Sequence, residues 1–234
     1  MSGDPRTTIA ARAAIELRPG EVVNLGIGIP NLIPGFLGAD SEIHLHTENG
    51  LLEVGPRPVG DELDPDVIDA AKRPVTALAG ASYFDSASSF AMIRGGHVDV
   101  AVLGSLQVSA DGDIANWAVP GREVLGVGGA MDLVVGARRV IVTMTATSSD
   151  GRPKVVPECT YPLTARAAAD VVVTELSVFR LRNGRLVLTE LLDGATLDRV
   201  AAVTTASYDV ELEQPHAALA NILPDDRRLR AGGS

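Results

Sequence analysis

Glu48 lies in the run His46-Thr47-Glu48-Asn49-Gly50, a carboxylate followed by two residues of the types that most readily turn a backbone. Placed just past the carboxyl end of a strand, where open α/β sheets keep their ligands, such a carboxylate can act as nucleophile, general base or metal ligand. By spacing alone, a solvated glutamate in an ordinary Asn-Gly turn is the commoner use of these residues. A second cluster, Gly126-Val127-Gly128-Gly129-Ala130, precedes a stretch over 131–135 that reads as a short helix. The backbone N–H groups of Gly128 and Gly129 at that helix start can face a developing negative charge, although a lone glycine cluster more often makes a strand-to-helix turn with no ligand. Gly26-Ile27-Gly28 does not extend to a dinucleotide fingerprint, because the third glycine position is Asn31. His44, His46 and Glu48 alternate and would share one face if the strand continued, but no further ligand cluster supports a metal and none is expected. No Gly-x-Ser-x-Gly elbow occurs, which argues against a serine hydrolase.

These residues need a scaffold, and the pattern along the chain supplies one. Asp4 as cap, Pro5 at the first helical position and apolar Ile9, Ala13 and Leu17 predict an amphipathic helix that stops at Pro19-Gly20. A short strand over 21–25 then enters the Gly26–Pro30 turn, which opens a second helix ending near Leu37. Residues 42–45 form the strand that delivers the Glu48 turn, 66–72 read as helical, and 85–94 read as a helix capped by Asp85 or Ser86. The apolar runs 98–103, 139–144 and 171–173 are strands of the kind buried on both faces. Strands alternating with helices imply an α/β fold, an open and mostly parallel sheet with helices on both faces. Asn183-Gly184, between 178–181 and 185–188, signals an antiparallel hairpin expected at the sheet edge. One domain is expected over residues 1–213, followed by a polar, loosely held tail over 214–234.

Composition narrows the function. A net charge of −10 offers no basic face for a nucleic acid. Cys159 is the single cysteine, so no internal disulfide can form, and it reads as a small buried structural thiol. The start of the chain shows no basic segment followed by an apolar run, and no stretch is long enough to span a membrane, so a cytoplasmic location is expected.

Five segments carry a resemblance in the correct order: Val23 to Pro30, Thr47 to Leu52, Gly80 to Ser86, Phe90 to His97 and Gly126 to Leu133. Together they resemble the B-type chain of class I coenzyme A transferases, such as succinyl-CoA:3-oxoacid and 3-oxoadipate CoA-transferases, from about residue 5 to about residue 205. The resemblance implies that Glu48 attacks an acyl-CoA carbonyl to give a mixed anhydride and then carries CoA as a glutamyl thioester. It implies that Asn24 is a polar active-site residue beside it, and that Gly129 is the likelier oxyanion donor. It places Gly26, Gly28, Asn49, Gly50, Lys72, Gly126 and Gly128 on the CoA and substrate side. Lys72, one of only two lysines, would pair with the catalytic carboxylate or a CoA phosphate. A helix-terminal lysine answering the dipole and a strand-end asparagine satisfying its own backbone are the plainer uses of Lys72 and Asn24.

The resemblance further implies a partner, an A-type (alpha) chain of similar fold in an AB or A2B2 assembly, with CoA entering as substrate and no cofactor. Two departures stand out: Glu53 and Ala165 occupy places where relatives usually carry glycine. Glu53 adds a negative charge near the nucleophile. A CoA-ester or ring-cleaving hydrolase using the same glutamate, and an inactive scaffold for the partner, are the rival readings, since fold does not decide among them.

Overall fold

The computed structural model describes residues 4–38, 40–60, 63–121, 124, 126–192 and 194–213; the expected tail over 214–234 lies outside them. The first helix, α1 (Pro5–Ala14), is capped by the Asp4 carboxylate on Arg6 N–H. It runs out through Leu17 in tight turns, where Ile15, Glu16 and Leu17 donate three residues back.

The middle of the sheet comes from the apolar runs. β1 (Val22–Leu25), β2 (His44–Thr47), β5 (Val100–Gly104), β8 (Arg139–Thr143) and β10 (Val171–Val173) pair in parallel in the order β10-β8-β5-β1-β2. Because side chains alternate, one run feeds two cores. Val100, Val102, Ile141, Val171 and Val173 pack with Ile9, Ala10, Ala13 and Ile33 on one face. Ala101, Leu103, Val140, Val142 and Val172 pack with Ile93 and Leu133 on the other. The first face is covered by α1 and a 3-10 helix (Pro30–Phe36), with Pro34 inside it donating no backbone hydrogen bond. The second is covered by α2 (Ser86–Arg94) and α3 (Ala130–Gly136). The α/β reading with helices on both faces therefore holds.

Antiparallel pairs flank this centre on both sides rather than one. β3 (Leu51–Val54) and β4 (Ala77–Tyr83) extend the sheet beyond β2, with a bulge at Glu53. On the far side β11 (Ser177–Arg182) and β12 (Arg185–Leu191) form the expected hairpin, with Asn183 at φ 52° and Gly184 at φ 73°. The hairpin is one strand in from the edge, because β13 (Asp209–Val210) adds in parallel beyond β12. A small second sheet joins β6 (Gln107–Ser109), β7 (Ile114–Ala115) and β9 (Val155–Val156), and α4 (Leu197–Ala202) follows β12.

Residues 66–72 are not a helix. The Asp69 carboxylate accepts from the backbone N–H groups of Ala71 and Arg73, and Ile68 bridges Pro74, so local side-chain bonding displaces the helical ladder. Lys72 sits there at φ 60°.

A buried ionic cluster ties α1 to the far hairpin. Arg12, 1% exposed, donates to Glu190 on β12 at 2.8 Å and pairs with Glu16, which also binds Arg180 of β11 at 2.7 Å. Burial alone would raise the Glu16 carboxyl, but the Arg180 hydrogen bonds and the Arg12 charge outweigh it and hold it below the usual 4.5. Breaking a buried pair strands its partner, so Arg12→Met should lower unfolding free energy by about 3–5 kcal/mol, whereas Arg152→Met, at an exposed pair, should leave the urea midpoint near the parent's. Urea unfolding checks both. Because the folded Glu16 is depressed, its contribution is present above the unfolded value and is lost as pH falls below it, and Arg12→Met should flatten that acid limb.

Candidate active site

The parallel register sets Asn24 of β1 opposite His46 of β2, both buried. Past Thr47 the chain reverses into β3, and Glu48 occupies the turn, half-buried. Gly50 donates to the Thr47 carbonyl at 3.0 Å and takes φ 120°. A Cβ at Gly50 would come within 2.0 Å of the Phe84 carbonyl oxygen, so only glycine lets the turn close on the joint between β4 and α2. Asn49 braces the turn from the other side: its amide donates to the Ile68 carbonyl at 2.9 Å, and its Oδ1 accepts from the Thr47 hydroxyl.

Three elements converge on the carboxylate. From β1, the Asn24 amide donates to Glu48 Oε2 at 3.2 Å. From α2, capped by the Asp85 carboxylate on Ser88 N–H, Ser89 and Phe90 face inward. From the glycine turn before α3, Gly129 approaches so closely that a Cβ there would lie 3.6 Å from Glu48 Cγ and 3.0 Å from Phe90 Cζ. Gly126 and Gly128 make that turn at φ 103° and 56°.

His46 is a buried, satisfied histidine. Its Nδ1 lies 3.1 Å from the Asn24 amide nitrogen, its Nε2 lies 3.2 Å from Ser89 Oγ, and its ring stacks on Phe84 at 5.8 Å. Burial pushes its pKa down to about 4, so the ring is neutral in ordinary buffer. His44 instead pairs with Glu53, so the two histidines serve different partners. Among the described residues no group of three His, Cys, Asp or Glu side chains could hold a metal.

Asn24, Glu48 and Gly129 are thus brought together, and the other expected residues divide. Gly50 and Asn49 build the turn. Gly26 lets β1 lie against β5, since a Cβ would meet Leu103 Cδ2 at 2.9 Å, while Gly28 turns in open space at φ 99°. Lys72 is exposed and, among the described residues, makes no ion pair; its neighbour Arg73 holds Asp69 at 2.8 Å instead. Glu53, at φ 65°, adopts the conformation glycine takes freely, and its carboxylate is taken up by His44. Ala165 bridges Ile114 in extended pairing. Cys159 donates to the Asp113 carbonyl, and burial with the Asp113 charge raises it to about 11, as befits a structural thiol. Missing from the sequence expectations were Ser89 and Phe90 as site residues and His46 as the partner of Asn24; Phe90 opens one of the five resembling segments, and that was the available signal.

A cavity of about 400 Å3 borders β2 and β3, lined by Leu32, Leu45, Val54 and Val75 with Arg57, Asp69 and Arg73. His46 and Thr47 also line it, whereas Asn24, Glu48 and Gly129 do not. Among the described residues no helix is long and apolar enough to cross a membrane.

Residues 6–202 match the sequence profile of the family described as Coenzyme A transferase. The chain is 47% identical over 207 residues to the B-type chain of a probable succinyl-CoA:3-ketoacid coenzyme A transferase from Bacillus subtilis, covering 88% of this chain and 96% of that one. It is 48% identical over 207 residues to the beta chain of the acetate CoA-transferase from Escherichia coli, covering 88% and 94%. Its fold resembles that of an acyl-CoA transferase apoenzyme from Escherichia coli O157:H7, with a TM-score of 0.75, 22% identity, and coverage of 96% of this chain and 47% of that one.

The two glycines make opposite demands. Gly50→Ala should cost at least about 3 kcal/mol, since strain and a backbone clash add. Gly129, at φ −83°, should accept alanine with a melting temperature near the parent's while crowding Glu48 and Phe90. Thermal unfolding monitored by circular dichroism separates the two.

Proposed function

The chain belongs to the coenzyme A transferase family, and from that premise we propose that it is the glutamate-bearing B-type chain, with Glu48 as the nucleophile that carries CoA between two carboxylic acids. The observation that carries this reading is the convergence of Asn24 and Gly129 on one carboxylate at the exposed end of a sheet.

The chemistry follows from those neighbours. The Glu48 carboxylate attacks the thioester carbonyl of an acyl-CoA, the C–S bond breaks, and a mixed anhydride and CoA thiolate result. The thiolate then adds to the glutamyl carbonyl and releases the first acid, which leaves CoA on Glu48 as a thioester. A second acid enters, and the same steps run in reverse. Two exchanges on an internal carboxylate replace one difficult encounter between a thioester and a free acid. A carboxylate is a weak nucleophile, so binding energy from the distant part of CoA must lower the barrier. Oxyanion charge falls to the Asn24 amide and to the first amides of α3, which have no acceptor within their own helix. The reaction as written uses CoA as substrate and calls on no cofactor.

The names of the two relatives point to different acids. We assign a dicarboxylic donor such as succinyl-CoA and a 3-oxo acid acceptor, following the succinyl-CoA:3-ketoacid relative. An A-type partner, in an AB or A2B2 assembly, completes the site. Supporting this are the names of both relatives, each of which denotes one subunit of an enzyme, the coverage of only about half of the structural neighbour, and a nucleophile that lies outside the lining of the 400 Å3 cavity. Exposed apolar Ile27 and Tyr83 adjoin the site in sequence, at 66% and 63%, and suit burial by that partner.

Incubating the assembled complex with succinyl-CoA should leave CoA bound covalently at Glu48, seen by mass spectrometry of the intact chain. Glu48→Ala should abolish the adduct and lower transfer by at least about 10⁴-fold. Steady hydrolysis without an adduct would favour a hydrolase. Rates across succinate, acetate, acetoacetate and 3-oxoadipate should be highest with a 3-oxo acid, and the isolated chain should be inactive.

A further inference from the structure

We infer that His46 is a positioning residue: by accepting one N–H of the Asn24 amide on Nδ1, it keeps the other N–H aimed at Glu48 throughout the reaction. The inference rests on the reading of Glu48 as the carboxylate that becomes acylated.

Asn24 is fully buried, and its amide nitrogen faces two acceptors, Glu48 Oε2 at 3.2 Å and His46 Nδ1 at 3.1 Å. Its Oδ1 is buried and, among the described residues, has no hydrogen-bond partner. The orientation of the amide is therefore set by the two acceptors alone, because turning it over would press Oδ1 against both lone pairs. One of the acceptors is transient. In the resting enzyme Glu48 is a charged acceptor, but once acylated it becomes a neutral ester-like carbonyl and pulls on the amide far more weakly. Something unchanged by the reaction must then hold the donor in place, and His46 meets that requirement.

The ring is itself locked. With Nδ1 accepting, its proton lies on Nε2 and is donated to Ser89 Oγ, 3.2 Å away. Phe84 stacks on its face with an interplanar angle of 11°. The groups that bond to it or stack on it from β1, α2 and the β4–α2 joint are Asn24, Ser89 and Phe84, none charged, and the charged side chains that share the cavity it borders are Arg57, Asp69 and Arg73. Burial that disfavours the imidazolium keeps Nδ1 an acceptor in the working pH range. The same side chain would fail as a general base toward substrate, since both nitrogens are spent within the protein.

The test uses the assembled complex and follows the discharge of the Glu48–CoA adduct by acetoacetate in single turnovers. His46→Phe keeps the stacking ring and removes both nitrogens; it should slow discharge on the order of tenfold to a hundredfold and leave KM for the acid near the parent's. His46→Gln, whose amide oxygen can accept from Asn24 while its nitrogen donates to Ser89, should recover discharge to within a few-fold of the parent. Parent-like discharge by His46→Phe would overturn the inference while leaving Glu48 as nucleophile, and so would a His46→Gln as slow as His46→Phe. A parent complex that forms no adduct would remove the underlying reading and the inference together. Should His46→Phe not fold, nitrogen-15 spectra of the parent chain decide: a neutral ring protonated on Nε2 between about pH 5 and pH 8 is expected, and a proton on Nδ1 would overturn it.

Discussion

The contact on which the site depends is the near-touch of Gly50 and the Phe84 carbonyl. It locks the tip of the β2–β3 hairpin to the point where β4 becomes α2, and the reciprocal bond from Phe84 N–H to the Gly50 carbonyl at 3.0 Å closes the same joint. Without a side chain at position 50, the turn can sink far enough for Glu48 to meet Asn24 from β1 and Gly129 from the α3 turn. Any side chain there would lift the carboxylate away from both. A backbone constraint thus sets the distances on which the chemistry relies.

Around that joint, polar groups are arranged so that charge is limited to the group that must react. His46, Ser89 and Asn24 are buried and neutral, and each hydrogen bond passes from one to the next until it reaches Glu48. The strongly paired charges of the chain lie elsewhere, in the Arg12 cluster, where they join distant elements without touching the site. Glu53 illustrates the separation. A carboxylate five residues from the nucleophile is engaged by His44, at a bulge whose positive φ carries the backbone away from regular pairing.

Much of this was legible in the residues. The central strands could be read because runs such as 98–103 are apolar on both faces, and the Asn183-Gly184 turn because few other dipeptides adopt its conformation. Glu48, Asn24 and Gly129 stood out through the order of several motifs rather than through spacing. What escaped has physical causes. Residues 66–72 have helical composition, but Asp69 bonds to the backbone that a helix would need. β3 and β4 escaped because the bulge at Glu53 breaks alternation and β4 contains Gly80. The role of His46 beside Asn24 was hidden, since its partners arrive from positions 22 and 43 residues away. Lys72 drew attention by its rarity; among the described residues, the side chain of that loop that forms an ion pair is the arginine after it.

The ion pair between Arg12 and Glu190 spans 178 residues of chain. During synthesis from the amino end, the first helix emerges long before the strand that neutralises its guanidinium. Until that strand arrives, Arg12 has only Glu16 of its own segment as a partner, and the apolar face of the helix lacks part of its cover. Full pairing of Arg12 therefore waits for β12, whereas the apolar seat of the helix on β5, β8 and β10 is made from earlier residues.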